Sequence, residues 1–432
     1  MPSADPYLPG HGDTTYDVTR YDLDLDYAIE NNHLAGRATL TIRALQDNLR
    51  DLTLDLHALK VVKITGVKLE RHRHDGNRLR LRLSSPLRVD DRVTFTVAYR
   101  GVPSVVRDKV GEAGWEELED GVLVAGQPGG APSWFPCNDR ASNKAPYRIN
   151  VTCNSAYFVV ANGSRTGVRR HGSKTTWSYV QTEPMAPYLA TVQIGRYVEH
   201  EVTGGPTRTY AVVPPALRTR FDRAFADQTA MMQLFTRCFG PYPFPSYRIV
   251  VTDDSLEIPL EAQSLSIFGS NLLDRRWDSQ RLIAHELAHQ WFGNAVTLAR
   301  LQDIWLHEGF ACYSEWLWSQ ECGHGSTQDQ AALHWKQLSG KTPRHLLAAP
   351  GPEQVFDDWV YKRGALTVHA IRAAIGDESF FALLAGWIDW FKGSNATTQE
   401  FVEFAQTFTG HPVGRIVEPW LYELPLPPLP RL

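Results

Sequence analysis

Two different hydrophobic periods divide the chain. Through about residue 195, polar and apolar residues alternate, as in Tyr21–Tyr27 and Leu79–Leu83, and this period of two is typical of strands with one buried face. From about residue 215, the apolar positions recur at helical intervals. The change of period predicts an N-terminal domain over residues 1–199 and a second domain over residues 200–432.

The second half predicts a mainly α-helical domain with a small β element. A helix is predicted over 217–239, ending before Gly240, and a short strand follows at Tyr247–Val251. Further helices are predicted at about residues 279–292, 303–320, 326–339, 361–375, 378–392 and 397–409. The fold class is therefore α+β, with an antiparallel β-sheet domain followed by a mainly helical domain. The proline-rich tail, Pro425–Pro430, is expected to pack back on the surface rather than bind a polyproline-recognising partner.

Composition and charge exclude several classes of protein. The net charge of -4, with both signs mixed along 432 residues, gives no reason to expect a nucleic acid or an anionic membrane as partner. No apolar run approaches the roughly 20 residues that span a bilayer, and Met1–Asp17 does not resemble a secretory signal. The five cysteines form no CxxC pair, which favours a reducing compartment. We expect a cytoplasmic protein, with a monomer as the working expectation for its oligomeric state.

The strongest chemical signal is the sequence His285-Glu286-Leu287-Ala288-His289. On a helix, positions i and i+4 lie on one face, so both imidazoles can reach one metal ion with Glu286 beside them. An HExxH sequence is expected by chance in only a few per cent of chains of this composition. The motif therefore predicts a metal site.

A third protein ligand would complete a tetrahedral zinc site with one open position for water. Glu308, 19 positions after His289, lies on the next predicted helix in apolar surroundings. His307 is its competitor, but adjacent helical residues point about 100° apart, so both cannot face the metal. Asp303 and Glu315 are candidates for orienting a ligand imidazole, although surface or capping roles are the alternative for both.

The segments HELAHQWFGN and WLHEGFA, at this spacing, resemble the M1 family of zinc aminopeptidases, relatives of aminopeptidase N and leukotriene A4 hydrolase. The resemblance implies a thermolysin-like (gluzincin) catalytic domain after a β-sheet domain, and one Zn²⁺ per chain on His285, His289 and Glu308. It also implies Glu286 as the general base. A C-terminal helical domain found in many members has no counterpart before Leu432, so a more open site is expected.

Three further residues acquire roles from this resemblance. Glu257–Gln263 corresponds to the family's exopeptidase motif, and Glu261 aligns with the glutamate that binds the free amine. The motif departs from the usual one, because its leading glycine is missing and Ala262-Gln263 stand where one asparagine is expected. Gln127, in a Gly/Pro-rich segment, is the second expected amine contact. Tyr361, at the start of a predicted helix, is the expected transition-state tyrosine.

The expected function is hydrolysis of the N-terminal peptide bond of peptides by zinc-activated water, with Glu286 as the base. An endopeptidase, for which Glu261 would be dispensable, and an epoxide hydrolase on the same scaffold remain as alternatives. A non-catalytic binding module is disfavoured because the metal ligands, Glu286 and Tyr361 occur together. The sequence defines neither the preferred N-terminal residue nor the peptide length, and cobalt or manganese could occupy such a ligand set.

Overall fold

The alternating half of the chain forms strands and the helical half forms helices in the computed structural model, which describes residues 4–432. The strands are β1 (Tyr16–Ala28), β2 (His33–Ala44), β3 (Leu49–Asp55), β4 (Lys60–Thr65), β5 (Leu69–Asp75), β6 (Arg78–Leu87), β7 (Arg92–Gly101), β8 (Val106–Arg107), β9 (Glu112–Leu118), β10 (Gly121–Ala125), β11 (Ala145–Asn154), β12 (Phe158–Ala161), β13 (Ser164–His171), β14 (Lys174–Met185), β15 (Val192–Gly195), β16 (Val198–Val202), β17 (Thr209–Val213), β18 (Tyr247–Val251), β19 (Leu260–Ala262), β20 (Leu265–Phe268), β21 (Thr297–Leu298) and β22 (Asn395–Ala396). The helices are α1 (Arg218–Ala224), α2 (Gln228–Phe239), α3 (Trp277–Ala288), α4 (Trp305–Glu321), α5 (Thr327–Ser339), α6 (Asp358–Ile375), α7 (Asp377–Phe391), α8 (Thr398–Thr409) and α9 (Val413–Leu421). The predicted α+β class is confirmed.

Within the described residues, the N-terminal half contains three sheets. Their strand orders are β13-β14-β11-β1-β2-β7-β4, β12-β15-β10-β9-β8 and β3-β6-β5. Pairing is antiparallel except between β1 and β11, which run parallel with Tyr21 opposite Tyr147. Alternation is the same in parallel and antiparallel strands that bury one face, so the sequence pattern could not reveal this pair. The stacked rings of Tyr21 and Tyr147, with centroids 4.6 Å apart, lie in the core beneath it.

Among the described residues, the second half consists of helices around a five-stranded sheet of order β16-β17-β18-β20-β19, and β21 and β22 form a separate two-stranded parallel sheet. The predicted helix over 217–239 is two helices, and Phe225 at the break stays buried by stacking on Phe221. The other predicted helices are present with ends shifted by a few residues. The predicted division after residue 199 falls inside β16, which pairs with β17 of this sheet, and the boundary stays a prediction.

The last helix, α9, was not predicted, because Gly414 and Pro419 both disfavour a helix. Its buried face packs nonetheless, and Arg363 of α6 donates to carbonyl oxygens at its end, including those of Trp420 (2.7 Å) and Leu424 (2.9 Å). The tail packs back as expected, with Trp335 Nε1 donating to the Pro427 carbonyl. Within residues 4–432, no helix is long and apolar enough to cross a membrane.

A buried polar cluster connects the N-terminal segment to the β domain. His11 Nδ1 lies 2.6 Å from Asp139 Oδ2, and the Asp55 carboxylate accepts from the backbone N–H groups of Gly12 and Asp139 and from Arg78. Burial lowers the pKa of His11, but the hydrogen bond and charge of Asp139 outweigh it and raise that pKa to about 9. His11 therefore carries a positive charge at neutral pH.

This cluster predicts a pH-dependent stability. Because the folded pKa of His11, about 9, exceeds its ordinary value of 6.5, its contribution of roughly 3 kcal/mol at most is present below pH 6.5 and is lost between pH 6.5 and 9. The Tm of the parent should fall more steeply across this window than that of His11→Gln in calorimetry. Burial also raises the pKa of Asp55, to about 7, but both proteins retain that residue. Equal pH slopes in parent and variant would contradict the prediction.

Candidate active site

Helix α3 ends at the HExxH sequence and brings its two histidines together. His289 follows the last helical residue, Ala288, with helical dihedral angles, and its N–H donates to the His285 carbonyl at 3.2 Å. The two imidazole centroids lie 4.7 Å apart. Both side chains are buried. The i, i+4 geometry expected from the sequence is therefore present in the last turn.

Helix α4 presents Glu308 to both imidazoles. Its Oε2 lies 3.3 Å from His285 Nε2 and 3.4 Å from His289 Nε2. Ligand atoms about 2.0–2.1 Å from a tetrahedral zinc ion lie about 3.3–3.4 Å from one another. These two separations match the spacing of ligand atoms around zinc, and all three atoms lie within 4.8 Å of one another. A His₂Glu donor set with one open position is also that of thermolysin-like metal centres.

The hydrogen bonds of the imidazoles fix which nitrogen is free. His285 Nδ1 donates to Glu315 Oε1 at 2.8 Å, and His289 Nδ1 donates to the Phe292 carbonyl at 3.1 Å. With Nδ1 engaged in this way, Nε2 of each ring faces Glu308 and is the nitrogen that could ligate a metal ion. Glu315 thus has the orienting contact expected from the sequence. Asp303 does not, because it caps α8 by accepting from the N–H and hydroxyl of Thr398.

The competitor, His307, is also ruled out by its contacts. The Leu298 N–H donates to His307 Nε2 at 2.9 Å, so the lone pair of that nitrogen is already engaged. Burial lowers the pKa of His307 to about 3, and the ring is neutral. Its Nδ1 carries the proton and offers no lone pair to a metal ion.

The electrostatics of the cluster favour a cation. Burial raises the pKa of Glu308, but the charges and hydrogen bonds of His289 and His285 hold it well below its usual range. In turn, Glu308 helps to raise the pKa of His285 to about 9 and that of His289 to about 10, against the effect of burial. A buried carboxylate that stabilises positive charge this strongly also fits a divalent metal ion between the same side chains.

Two further carboxylates approach the same centre. Potential ligand atoms of Glu261, Glu286 and His289 all lie within 4.8 Å of one another. Burial raises the pKa of Glu286 to about 8 against the charges of His285 and His289. Its Oε2 is buried and has no hydrogen-bond partner within residues 4–432. Glu286 therefore has an unpaired carboxyl oxygen and lies beside the residues that could bind a metal ion.

Glu261 lies half-buried on β19, in a hairpin with β20 whose turn contains Ser264 at a φ of 69°. Burial raises the pKa of Glu261, and the charge of Glu308 adds to the increase. The departure from the family motif has a structural consequence. Gln263 is turned away and donates to the carbonyls of Glu183 and Pro184, and Ala262 is buried.

Tyr361, in the first turn of α6, also lies beside the cluster. Its ring is stacked 5.9 Å from that of His285. Burial, followed by the charges of Glu308, Glu261 and Glu286, raises the pKa of Tyr361 well above its ordinary value. The phenol therefore keeps its proton and is a hydrogen-bond donor directed at the site.

Gln127 makes no direct hydrogen bond to the described residues of the candidate site. No hydrogen bond involves its side chain within the described part of the chain, and it lines a small cavity together with Tyr188. Tyr188 was not identified from the sequence. Burial raises its pKa well above the ordinary value, and the charges of Glu261 and Glu308 add to this, so its ring adjoins the carboxylates. Tyr188 lies in a short turn that no periodicity marks, and its backbone packs closely against Gly126, the residue before Gln127.

Two glycines bring the helices that carry Glu308 and Tyr361 together. A Cβ at Gly364 of α6 would lie 2.8 Å from Cα of Gly309 in α4, and a Cβ at Gly309 would lie 2.8 Å from Gly364. Such contacts are too short for any larger residue. Because Gly309 follows Glu308 and Gly364 lies one turn beyond Tyr361, the close crossing sets the distance between these side chains.

The His₂Glu group, with both histidines from an HExxH sequence, is the ligand set of thermolysin-like metal centres. Sequence comparison specifies the family. The profile of the Peptidase M1 N-terminal domain matches residues 18–189, and that of the Peptidase family M1 domain matches residues 223–420. The chain therefore belongs to peptidase family M1, and the resemblance seen in its motifs is confirmed.

Curated relatives and solved structures agree with this assignment. The chain is 27% identical over 313 residues to "Probable aminopeptidase 2" of Sulfurisphaera tokodaii, covering 67% of this chain and 40% of the relative. It is 24% identical over 429 residues to "Leucyl aminopeptidase" of Saccharolobus solfataricus, covering 94% and 53%. The chain thus spans about half the length, or less, of these relatives. An M1 zinc metallopeptidase from Deinococcus radiodurans, 28% identical, superposes with a TM-score of 0.91 over 100% of both chains.

The glycine crossing predicts that Gly364→Ala separates α4 from α6. The added methyl group should lower the free energy of unfolding by about 1–3 kcal/mol and weaken zinc binding about tenfold, because Glu308 moves away from the histidines. Calorimetry and zinc titration against a competing chelator measure the two effects. Gly340→Ala, where a Cβ meets nothing closer than 3.8 Å, is the matched control and should change neither. Parent-like zinc affinity in a well-folded Gly364→Ala would contradict the prediction.

Proposed function

We propose that this protein is a zinc-dependent aminopeptidase that removes the N-terminal residue of peptides. The observation that carries the proposal is the proximity of the Glu261 carboxylate to Glu286 and His289, within 4.8 Å. A free α-amine, with a pKa near 7.7–8, is largely cationic at neutral pH and pairs with such a carboxylate. An internal amide has no charge to offer. Glu261 therefore selects chain ends.

In this proposal one zinc ion binds His285, His289 and Glu308. The match between the 3.3 and 3.4 Å separations of their ligand atoms and tetrahedral geometry supports the assignment. Zinc, when bound, supplies Lewis acidity towards the substrate carbonyl and lowers the pKa of water at its open position. Glu315 keeps His285 in the tautomer that ligation needs. The relatives named as zinc metallopeptidases lend further support.

Glu286 transfers the proton. Its Oε2 has no competing hydrogen bond, and burial raises its pKa above that of an ordinary carboxyl, which makes the carboxylate a stronger base towards the proton of water. Glu286 accepts the proton from the attacking water at Oε2 and returns it to the leaving amine. The two transfers balance, because the proton that the water loses is the one that the amine gains.

Tyr361 and Gln127 complete the proposed site. The Tyr361 phenol, which keeps its proton, donates a hydrogen bond to the carbonyl oxygen of the substrate as negative charge develops there; one such donor is typically worth about 3–4 kcal/mol. Gln127 provides a second, neutral contact to the substrate amine beside Glu261. The loop arrangement around Gly126 and Tyr188 supports a position for Gln127 at the edge of the site.

The partners proposed are peptides, with no nucleic acid or membrane partner and a monomer as the expected state. We also propose a cytoplasmic location, which the five unpaired cysteines support, four of them buried.

The proposal predicts a strict dependence on the free amine. Tyr-Ser-Ala, which is the substrate bound to one solved relative, and its N-acetylated form are offered to the zinc-loaded protein. The parent should cut only the free-amine peptide. Glu261→Ala should reduce kcat/KM for that peptide by about 10- to 150-fold, because a hydrogen bond to a charged group is lost, and leave little preference between the two peptides.

Glu286→Gln is the control for the chemistry. It keeps a side chain of the same shape but cannot take the proton, so it should bind zinc like the parent and hydrolyse neither peptide. Equal cleavage of the acetylated peptide by the parent would make the protein an endopeptidase and remove the role of Glu261. A parent that binds zinc, cuts neither peptide and opens a lipid epoxide would instead support an epoxide hydrolase.

A further inference from the structure

A lysine of the β domain is inserted into the loop that follows the metal-binding helix. Lys144, immediately before β11, donates from Nζ to the carbonyl oxygens of Asn294 (2.9 Å), Ala295 (3.0 Å) and Ser394 (3.3 Å). The three hydrogens of an ammonium group thus match three acceptors. No carboxylate lies within 4.0 Å of it among residues 4–432. The hydrogen bonds of Lys144 Nζ therefore go to backbone carbonyls of the other half of the chain.

The loop held in this way controls one metal ligand. It begins at His289, whose Nδ1 donates to the Phe292 carbonyl, and it folds back through hydrogen bonds from Asn294 N–H to the His289 carbonyl and from Ala295 N–H to the Gln290 carbonyl. The path of the loop therefore determines where the acceptor for the His289 ring lies.

The same loop also holds the strand of Glu261. Asn294 Nδ2 donates to the carbonyl of Ala262, the residue after Glu261, at 3.0 Å. Gln290 Nε2 reaches the same carbonyl at 3.1 Å. Asn294 is thus bound by Lys144 through its backbone carbonyl and binds the β19 strand through its side chain. A continuous set of contacts runs from Lys144 through Asn294 to Glu261.

The composition of this contact argues against simple packing. Removing an ammonium group from water is costly unless every hydrogen finds an acceptor, and an apolar side chain of similar length would fill the same space without that cost. What Lys144 adds is a fixed position for three carbonyl groups. Two of them belong to the loop next to His289, and the third belongs to the Ser394 turn, whose carbonyl also accepts from Thr297 N–H.

We propose that Lys144 is a positioning residue for amine recognition and metal ligation, acting through Asn294 on Glu261 and through the 292–296 loop on His289. The part of this proposal that concerns amine recognition rests on the aminopeptidase function proposed above. The part that concerns zinc binding does not. If Lys144 has this role, the β domain contributes to the recognition of free amines.

The test combines Lys144→Met, Asn294→Ala and the double variant. Each single variant should lower the ratio of kcat/KM for Tyr-Ser-Ala to that for N-acetyl-Tyr-Ser-Ala by about tenfold. The double variant should lower it no further, because both changes break one set of contacts. Zinc affinity, measured by competition with a chelator, should fall about tenfold in Lys144→Met, as for other residues behind metal ligands. Lys174→Met, which removes an exposed lysine of the same domain, should change neither quantity.

A merely structural Lys144 gives a different result. Lys144→Met would then lower Tm while the peptide ratio and the zinc affinity stay at parent values, or its effect would add fully to that of Asn294→Ala, and either outcome overturns the proposal. If Lys144→Met does not fold, Lys144→Gln, which keeps N–H donors without the charge, takes its place with the same expected direction. A parent without free-amine preference would refute the aminopeptidase assignment, and the zinc measurement would still decide the role of Lys144.

Discussion

The structure depends on one carboxylate held between two imidazoles. Glu308 lies 3.3 Å from His285 and 3.4 Å from His289, although these residues come from two different helices and lie beside a third helix with Tyr361. Burial of a carboxylate is unfavourable unless positive charge or a metal ion compensates for it. The helix crossing at Gly309 and Gly364 brings these groups together, and Glu315 and the Phe292 carbonyl set the orientation of the rings. Glu286 is carried by α3 next to His285, and Tyr361 by α6.

The β domain contributes to this arrangement from outside the helical half. Lys144 binds the loop after His289, and Asn162 Nδ2 donates to the Gln263 carbonyl at 2.8 Å in the turn after Glu261. Gly163 N–H donates to Ser264 Oγ in the same turn. The hairpin that presents Glu261 is therefore held between the two halves of the chain. A free-amine specificity that resides in β19 depends on both of them.

The sequence predicted the parts of the molecule that local pattern controls. Alternation and helical periodicity gave the α+β class, and the HExxH spacing with Glu308 gave the group that could bind a metal. The parallel pairing of β1 with β11, the break at Phe225 and helix α9 depend on tertiary packing, and no local signal reveals them. For Asp303 the sequence left two roles open, orienting a ligand imidazole or capping a helix, and its contacts with Thr398 at the start of α8 agree with the second. Tyr188 and Lys144 act across long sequence separations, so only the fold identifies them.

The most direct test of the central claim is the location of bound zinc. Crystals of the protein grown with one equivalent of zinc, measured on both sides of the zinc absorption edge, should show one anomalous peak about 2.0–2.2 Å from His285 Nε2, His289 Nε2 and a carboxylate oxygen of Glu308. An anomalous peak on other residues, or a protein that binds zinc in solution with none at this site, would contradict the account. The peak would also establish the Nε2 ligation that the contacts of Glu315 and Phe292 require.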